Sequence, residues 1–268
     1  MTAVETNELL VTRSEPGVAV VTLNRPQTRN ALSLAMLHKL HVAFKALGSD
    51  AGVSAIVLAA NGPVFSSGHD LKEMTAHRAD KDGGRAFFET TMHSCSEMMQ
   101  AIVHCPRPVI AAVSGTATAA GCQLVASCDL AVAADTATFA TPGVNIGLFC
   151  STPMVALSRN VPRKKAMEML LLGEAMSASD AALYGLVNRA VPWDSVMAEA
   201  FGMAHKIASK SKATVATGKT AFYRQIEAPL GEAYTYAARV MVENMMAADA
   251  AEGICAFIEK RPPQWKGE

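Results

Sequence analysis

Apolar positions along the chain alternate between two periods. Near the start, "ELLVTRSEPGVAVVTLN" holds two β-rich runs, Leu9–Thr12 and Val18–Leu23. Glu15-Pro16-Gly17 separates them, which predicts a hairpin. Ser33 is placed to cap a helix, and Leu34, Leu37, Leu40, His41, Phe44 and Leu47 then recur at helical spacing up to Gly48. "SAIVLAA" (54–60) is a short, continuously apolar run, as expected of a parallel strand covered on both faces. "RPVIAAVSG" (107–115) and "DLAVAA" (129–134) repeat that texture. Helices are expected between them, over about 84–104 and 119–127. This alternation predicts an α/β core. From about Lys164 onward Met, Ala, Leu and Lys dominate, and helical periodicity runs nearly to the end. One β-like segment, "LVNRAV" (186–191), interrupts it. The expected layout is an α/β core over 1–199 and a C-terminal helical region over 200–268, with no internal sequence repeat.

Composition narrows the functional classes. Half of the 268 residues are hydrophobic and 18% are charged, so a sizeable core can be buried. The formal net charge is zero, which speaks against nucleic acid or an anionic membrane as the main partner. "MTAVETNELL" has neither the basic nor the apolar part of a secretory signal. No apolar run reaches the roughly 18–20 residues of a membrane span. Six cysteines (Cys95, Cys105, Cys122, Cys128, Cys150, Cys255) are scattered, without a CxxC pair or zinc spacing. They read as small buried hydrophobes in a reducing compartment, and a cytoplasmic location is expected. His38 and His41 are three apart and do not make a zinc pair, so no metal is expected. GxxxxGK[ST], GxGxxG and GxSxG are all absent.

The chemistry concentrates in two stretches. "FSSGHDLKEM" (65–74) follows the strand 54–60 and a turn at Asn61-Gly62-Pro63. "GTATAAGCQ" (115–123) follows the strand 107–115, and its first seven residues are all Gly, Ala or Thr. Both are small-residue passages from strand to helix, where free backbone N–H groups can receive a polarised oxygen. Two such junctions in one core can aim two N–H groups at one oxygen, which is an oxyanion hole. The same stretches also suit tight βα turns with close helix–sheet packing.

Five segments in order then carry a resemblance: "VTLNRPQTRNALS", "FSSGHDLKEM", "GTATAAGCQLVASCDLAVAADTATFATPGVNIGLF", "VPRKKAMEMLLLGEAMSASDAALYGLVNRAVP" and "EGICAFIEKRPPQW". The chain resembles the enoyl-CoA hydratase/isomerase (crotonase) superfamily over about residues 8–265. Within it, the chain is most similar to the enoyl-CoA hydratase domain-containing protein 3 subgroup. The resemblance implies a crotonase-like spiral of ββα units with a C-terminal helical region, assembled as a homotrimer or a dimer of trimers. It implies an acyl-CoA thioester as ligand, with coenzyme A entering as part of the substrate and no tightly bound cofactor. By position, the backbone N–H groups of His69 and Ala120 would be the oxyanion donors. The CoA moiety would lie along Arg25, Arg29 and Ala31 and along Ser66, Ser67, Gly68, Asp70, Leu71 and Gly121. Phe257 and Lys260 would reach it from the C-terminal region.

The departures from the family pattern bear on the reaction. Family hydratases carry two glutamates that act as acid and base on water. Those positions here are Gln123 and Gly143. An amide cannot take a proton from water and glycine offers no group, so ordinary hydration is doubtful. His69 is the remaining titratable side chain on the oxyanion loop. Its "GHD" also resembles the family's methylmalonyl-CoA decarboxylases. Cys150 and Asn145 lie on the segment expected to face the acyl group. Glu89 and His93 are four apart on the helix expected over the pocket, and read as lid surface. The readings left open are an enzyme confined to enolate stabilisation, a decarboxylase-like activity, and a non-catalytic acyl-CoA-binding regulator.

Overall fold

The computed structural model describes residues 8–14 and 17–267. β1 (Leu9–Ser14) and β2 (Val18–Leu23) pair antiparallel from Leu9↔Leu23 to Ser14↔Val18, so the expected hairpin forms. Glu15 and Pro16 of its turn lie outside the described residues. α1 (Leu34–Ser49) starts where the Ser33 hydroxyl accepts the Met36 N–H at 3.2 Å. It buries Met36, Leu37, Leu40, Phe44 and Leu47. Each of these side chains contributes roughly 1.5–3 kcal/mol on leaving water.

Three similar units follow. The first is β3 (Ala55–Ala60), β4 (Val64–Ser66), α2 (Leu71–Ala76) and α3 (Arg85–Val103). The second is β5 (Val109–Val113), β6 (Thr116–Thr118) and α4 (Ala120–Ala126). The third is β7 (Leu130–Ala134), β8 (Thr138–Ala140), a 3-10 turn (Pro142–Ile146) and α5 (Ser151–Leu157). In each unit the long strand joins one sheet and the short strand joins another. This is the ββα spiral, and it is built without a sequence repeat.

α6 (Arg163–Leu172), β9 (Met176–Ser177), α7 (Ala178–Leu183), β10 (Arg189–Val191) and α8 (Val196–Ala208) complete the core. The large sheet runs β1-β2-β3-β5-β7-β10 and is parallel beyond β2. The small sheet runs β4-β6-β8-β9. Its strands have two or three residues each, too short to show a period, and the sequence reading missed them. α8 lies over β2, β3, β5 and β7 and places Val196, Ala200 and Ala204 in the core. It spans the boundary expected at 199/200.

α9 (Lys212–Gln225), α10 (Leu230–Met245) and α11 (Ala248–Glu259) form the C-terminal layer. It is tied to the core through polar groups. The Asp129 carboxylate accepts from the Val109 N–H (2.7 Å), the Lys219 ammonium (2.7 Å) and the Tyr223 hydroxyl (3.0 Å). Lys219 also donates to the carbonyls of Ile102 (3.0 Å) and Arg107 (3.2 Å). Lys219 and Asp129 are both largely buried, so losing one partner would strand a charge. Leu230, Tyr234, Met246, Phe257 and Ile258 of this layer are exposed.

Candidate active site

β4 and β6 are adjacent and parallel, pairing Val64↔Thr116 and Ser66↔Ala117. Their C-terminal ends therefore deliver the loop 66–70 and the start of α4 to the same place. The contact is backbone to backbone. Gly68 has φ +86, and a Cβ there would sit 2.9 Å from the Ala119 Cβ and 3.1 Å from the Ala120 nitrogen. A Cβ on Gly121 would sit 2.3 Å from the Ser66 carbonyl oxygen. The small residues of both stretches are thus required by close packing, and that packing is also what brings two N–H groups together.

Each donor is aimed by a specific local device. Ala119 holds φ 50 and ψ −119, a conformation that costs an alanine about 1–3 kcal/mol. Its ψ orients the peptide plane between residues 119 and 120, and so the Ala120 N–H. Ala120 opens α4, where the first N–H groups have no partner within the helix. His69 forms a single parallel bridge with Leu32. The Leu32 N–H donates to the Gly68 carbonyl (2.8 Å), and the Asp70 N–H donates to the Leu32 carbonyl (3.3 Å). In that pattern the N–H of His69 itself points away from Leu32. Among the described residues neither donor has an acceptor.

Loop 25–33 is laced to loop 66–70. The Ser67 N–H donates to the Arg29 carbonyl (3.0 Å), and the Ser66 hydroxyl donates to the Asn30 carbonyl (2.9 Å). Arg25, Arg29, Ala31, Ser66, Ser67, Gly68, Asp70, Leu71 and Gly121 therefore lie together. Asn30, which the sequence reading did not single out, is the hub. It is buried at φ 51; its amide donates to the carbonyls of Asn61 (2.9 Å) and Val64 (2.8 Å), and its oxygen accepts the Arg25 N–H (2.8 Å). An Asn beside Arg in "TRNALS" was the available clue, since Asn tolerates positive φ. The two arginines differ. Arg25 is engaged by Glu8 (3.2 Å), Asp70 (3.8 Å) and the Ser33 hydroxyl (3.2 Å). Arg29 is exposed and has no ion pair among the described residues. Phe257 is 85% exposed, and α11 packs on α9 and α10. Within the chain, no hydrogen bond or ion pair ties Phe257 or Lys260 to loops 25–33 and 66–71 among the described residues.

The two positions expected for the hydratase glutamates, Gln123 and Gly143, sit in different surroundings. Gln123 is buried one turn beyond Ala120, and its Oε1 faces the Cys95 thiol at 3.9 Å. Gly143 is buried too, and a Cβ there would meet the Leu148 carbonyl oxygen at 2.6 Å and the Cys150 Sγ at 2.9 Å. No side chain fits that place. Asn145 donates to the Gly173 carbonyl (3.4 Å) and holds its turn against the end of α6. The Nε2 of His69 is buried and has no partner among the described residues. Burial pushes the ring's pKa down to about 4, so it is neutral at physiological pH. Glu89 pairs with Arg85 (3.5 Å) and His93 with Glu97 (3.3 Å), so the two are surface residues of α3. His93 lines a cavity of about 480 Å³ between α1 and α3, with His41, Lys45 and His104. No group of three or more His, Cys, Asp or Glu among the described residues could hold a metal ion.

Two adjacent strand-to-helix junctions whose N–H groups have no acceptor among the described residues are the central arrangement. The model of the enoyl-CoA hydratase/isomerase family matches residues 13–268. The chain belongs to the enoyl-CoA hydratase/isomerase family. A Rattus norvegicus relative named enoyl-CoA hydratase domain-containing protein 3, mitochondrial, is 50% identical over 257 residues, covering 96% of this chain and 84% of that protein. A crystal structure of an enoyl-CoA hydratase from Mycobacterium smegmatis superposes with a TM-score of 0.93 at 54% identity, covering 97% of this chain and 99% of the other. That of human enoyl-CoA hydratase domain-containing protein 3 gives 0.91 at 47% identity, covering 96% and 100%. Membership of the family supports a CoA-thioester-binding enzyme. The cytoplasmic expectation is corrected, because the vertebrate relatives are named as mitochondrial proteins. Scattered reduced cysteines do not distinguish one reducing compartment from another. No helix among the described residues is long and apolar enough to cross a membrane.

Proposed function

We propose that this chain binds an acyl-CoA thioester and stabilises its enolate through the backbone N–H groups of His69 and Ala120. The observation that carries the reading is the over-determined backbone of both junctions, above all the strained Ala119 that aims the Ala120 donor. An enolate places negative charge on the thioester oxygen, and preset donors favour that charge as it develops. α4 adds the positive end of its dipole at the same oxygen. Arg29, without an ion pair among the described residues and beside the 66–70 loop, is the arginine best suited to a CoA phosphate; Arg25 would first have to leave Glu8 and Asp70. The exposed apolar residues of the C-terminal layer support assembly into a homotrimer or a dimer of trimers, in which Phe257 and Lys260 would serve a neighbouring copy. The relatives' names favour a mitochondrial place for the reaction.

Ordinary enoyl-CoA hydration is not the activity this site favours. Proton transfer by a placed group contributes on the order of 10²–10⁴-fold, and neither Gln123 nor Gly143 supplies one. Purified protein should therefore hydrate crotonyl-CoA barely or not at all. A diverse acyl-CoA panel, with turnover read by mass spectrometry and binding by calorimetry, tests the whole reading. Binding with a product from one acyl class is the expected result. Tight binding with no product would make the chain a regulatory acyl-CoA binder instead, and a robust hydratase rate would show that the catalytic carboxylates lie elsewhere.

A further inference from the structure

Of the two N–H groups proposed as oxyanion donors, the one at His69 is aimed from outside its own loop. The Gly68 carbonyl and the His69 N–H belong to one planar, trans peptide unit, so they point in opposite directions. The Leu32 N–H holds that carbonyl at 2.8 Å. Whatever fixes Leu32 therefore fixes the direction of the His69 N–H. Gly68 is also held from its other side. Its own N–H donates to the Ser66 hydroxyl oxygen (3.3 Å), and that hydroxyl donates to the Asn30 carbonyl (2.9 Å). Both routes lead back to residues 30–32.

Asn30 fixes that turn. Arg29 and Asn30 both hold left-handed backbone, at φ 54 and φ 51. Asparagine tolerates this region better than most residues with a side chain. Asn30 is 1% exposed, and both amide N–H bonds are used, on the carbonyls of Asn61 (2.9 Å) and Val64 (2.8 Å). Its Oδ1 accepts the Arg25 N–H (2.8 Å). Asn30 thus grips β4 at its first residue, Val64, through the side-chain amide and at its last, Ser66, through its carbonyl. An aspartate there would set a carboxylate against two carbonyl oxygens, so the amide is needed for its donors and not for its shape alone. The same turn carries Arg25 and Arg29, the two arginines expected to meet CoA.

We infer that Asn30 is a positioning residue: through Leu32 and Ser66 it holds the Gly68 peptide so that the His69 N–H meets the thioester oxygen. This rests on the thioester reading above. The test is infrared difference spectroscopy of butyryl-CoA, carbon-13 labelled at the thioester carbonyl, bound to the full chain. Calorimetric binding of coenzyme A alone is measured alongside. Hydrogen bonds to the carbonyl oxygen lower its stretching frequency, so the wild-type complex should show a lowered band. Asn30→Gly accepts the left-handed backbone but has no amide. It should lose roughly half of that shift, the share of one donor of two, while coenzyme A binds within about threefold of wild type. Ser66→Ala cuts only the hydroxyl link and should lose a smaller part; it reads the same coupling if Asn30→Gly does not fold. An unchanged shift in folded Asn30→Gly overturns this inference and leaves the thioester reading standing. A loss of coenzyme A affinity as large as the loss at the carbonyl also overturns it, because Asn30 would then shape the whole loop rather than aim a donor. A wild-type complex with no lowered band overturns the oxyanion reading, and this inference with it.

Discussion

The two halves of the pocket are built by different means. The half proposed to hold the oxyanion is backbone: Gly68, His69, Ala119 and Ala120 are held by a strand pair, a β-bridge and a strained dihedral. The opposite half is side chains, and it holds the positions expected for the family's two carboxylates, Gln123 and Gly143. Within that half the two positions also differ. Gln123 keeps a long side chain in a place with room for it, whereas the place of a side chain at Gly143 is taken by the Leu148 carbonyl and Cys150. Residue 143 is tightly packed by its own turn, and the backbone half is held by contacts between distant segments.

The contrast can be broken at several points. The largest effect is expected for Ala120→Pro, which removes one oxyanion donor. Turnover on the best acyl-CoA should fall by roughly 10²–10³-fold. Thermal midpoint and CoA affinity, measured alongside, separate this from unfolding; unchanged turnover in a folded variant would sink the oxyanion role.

Next in size is the pair of back-substitutions. Gly143→Glu has to displace the Leu148 carbonyl and bury a carboxylate, and should lose about 3–5 kcal/mol in urea unfolding. Gln123→Glu changes only charge in a near-isosteric side chain and should lose about 1–2 kcal/mol. Equal losses, or the reverse order, would mean that the Gly143 site is not tightly packed.

A smaller effect concerns acid. The folded pKa of His69 is about 4, and its ordinary value is 6.5. Between these values the unfolded chain binds the proton and the folded chain does not. Its contribution to stability is therefore complete above pH 6.5 and declines as pH falls toward 4. His69→Phe should flatten the slope of unfolding free energy across that window, and an unaltered slope would place the titrating group elsewhere. The smallest effect belongs to Ala119→Gly. Relief of the dihedral strain and the added freedom of the unfolded chain oppose each other, so stability should change by less than about 1 kcal/mol with turnover retained. A loss of several kcal/mol would show that the Ala119 methyl packs rather than merely being tolerated.

Much of this was legible along the chain. The continuous apolar runs at β3, β5 and β7 announced a sheet covered on both faces, and the stripe from Leu37 to Leu47 announced α1. Both signals are local: they depend on which faces of a segment meet the core. The bulk-free "SSGHD" and "TATAAG" marked the two junctions. Less was legible where partners are remote. The small sheet has strands too short for a period. Asn30 works through carbonyls more than thirty residues away.

By itself, then, the sequence determined the α/β class and the place of both small-residue junctions, because periodicity and residue size are properties of short segments. Only the tertiary structure decided that the junctions adjoin, that Ala119 holds a strained dihedral at the start of α4, and that residue 143 has no room for a side chain. Those facts depend on pairing and packing between segments that no short window contains.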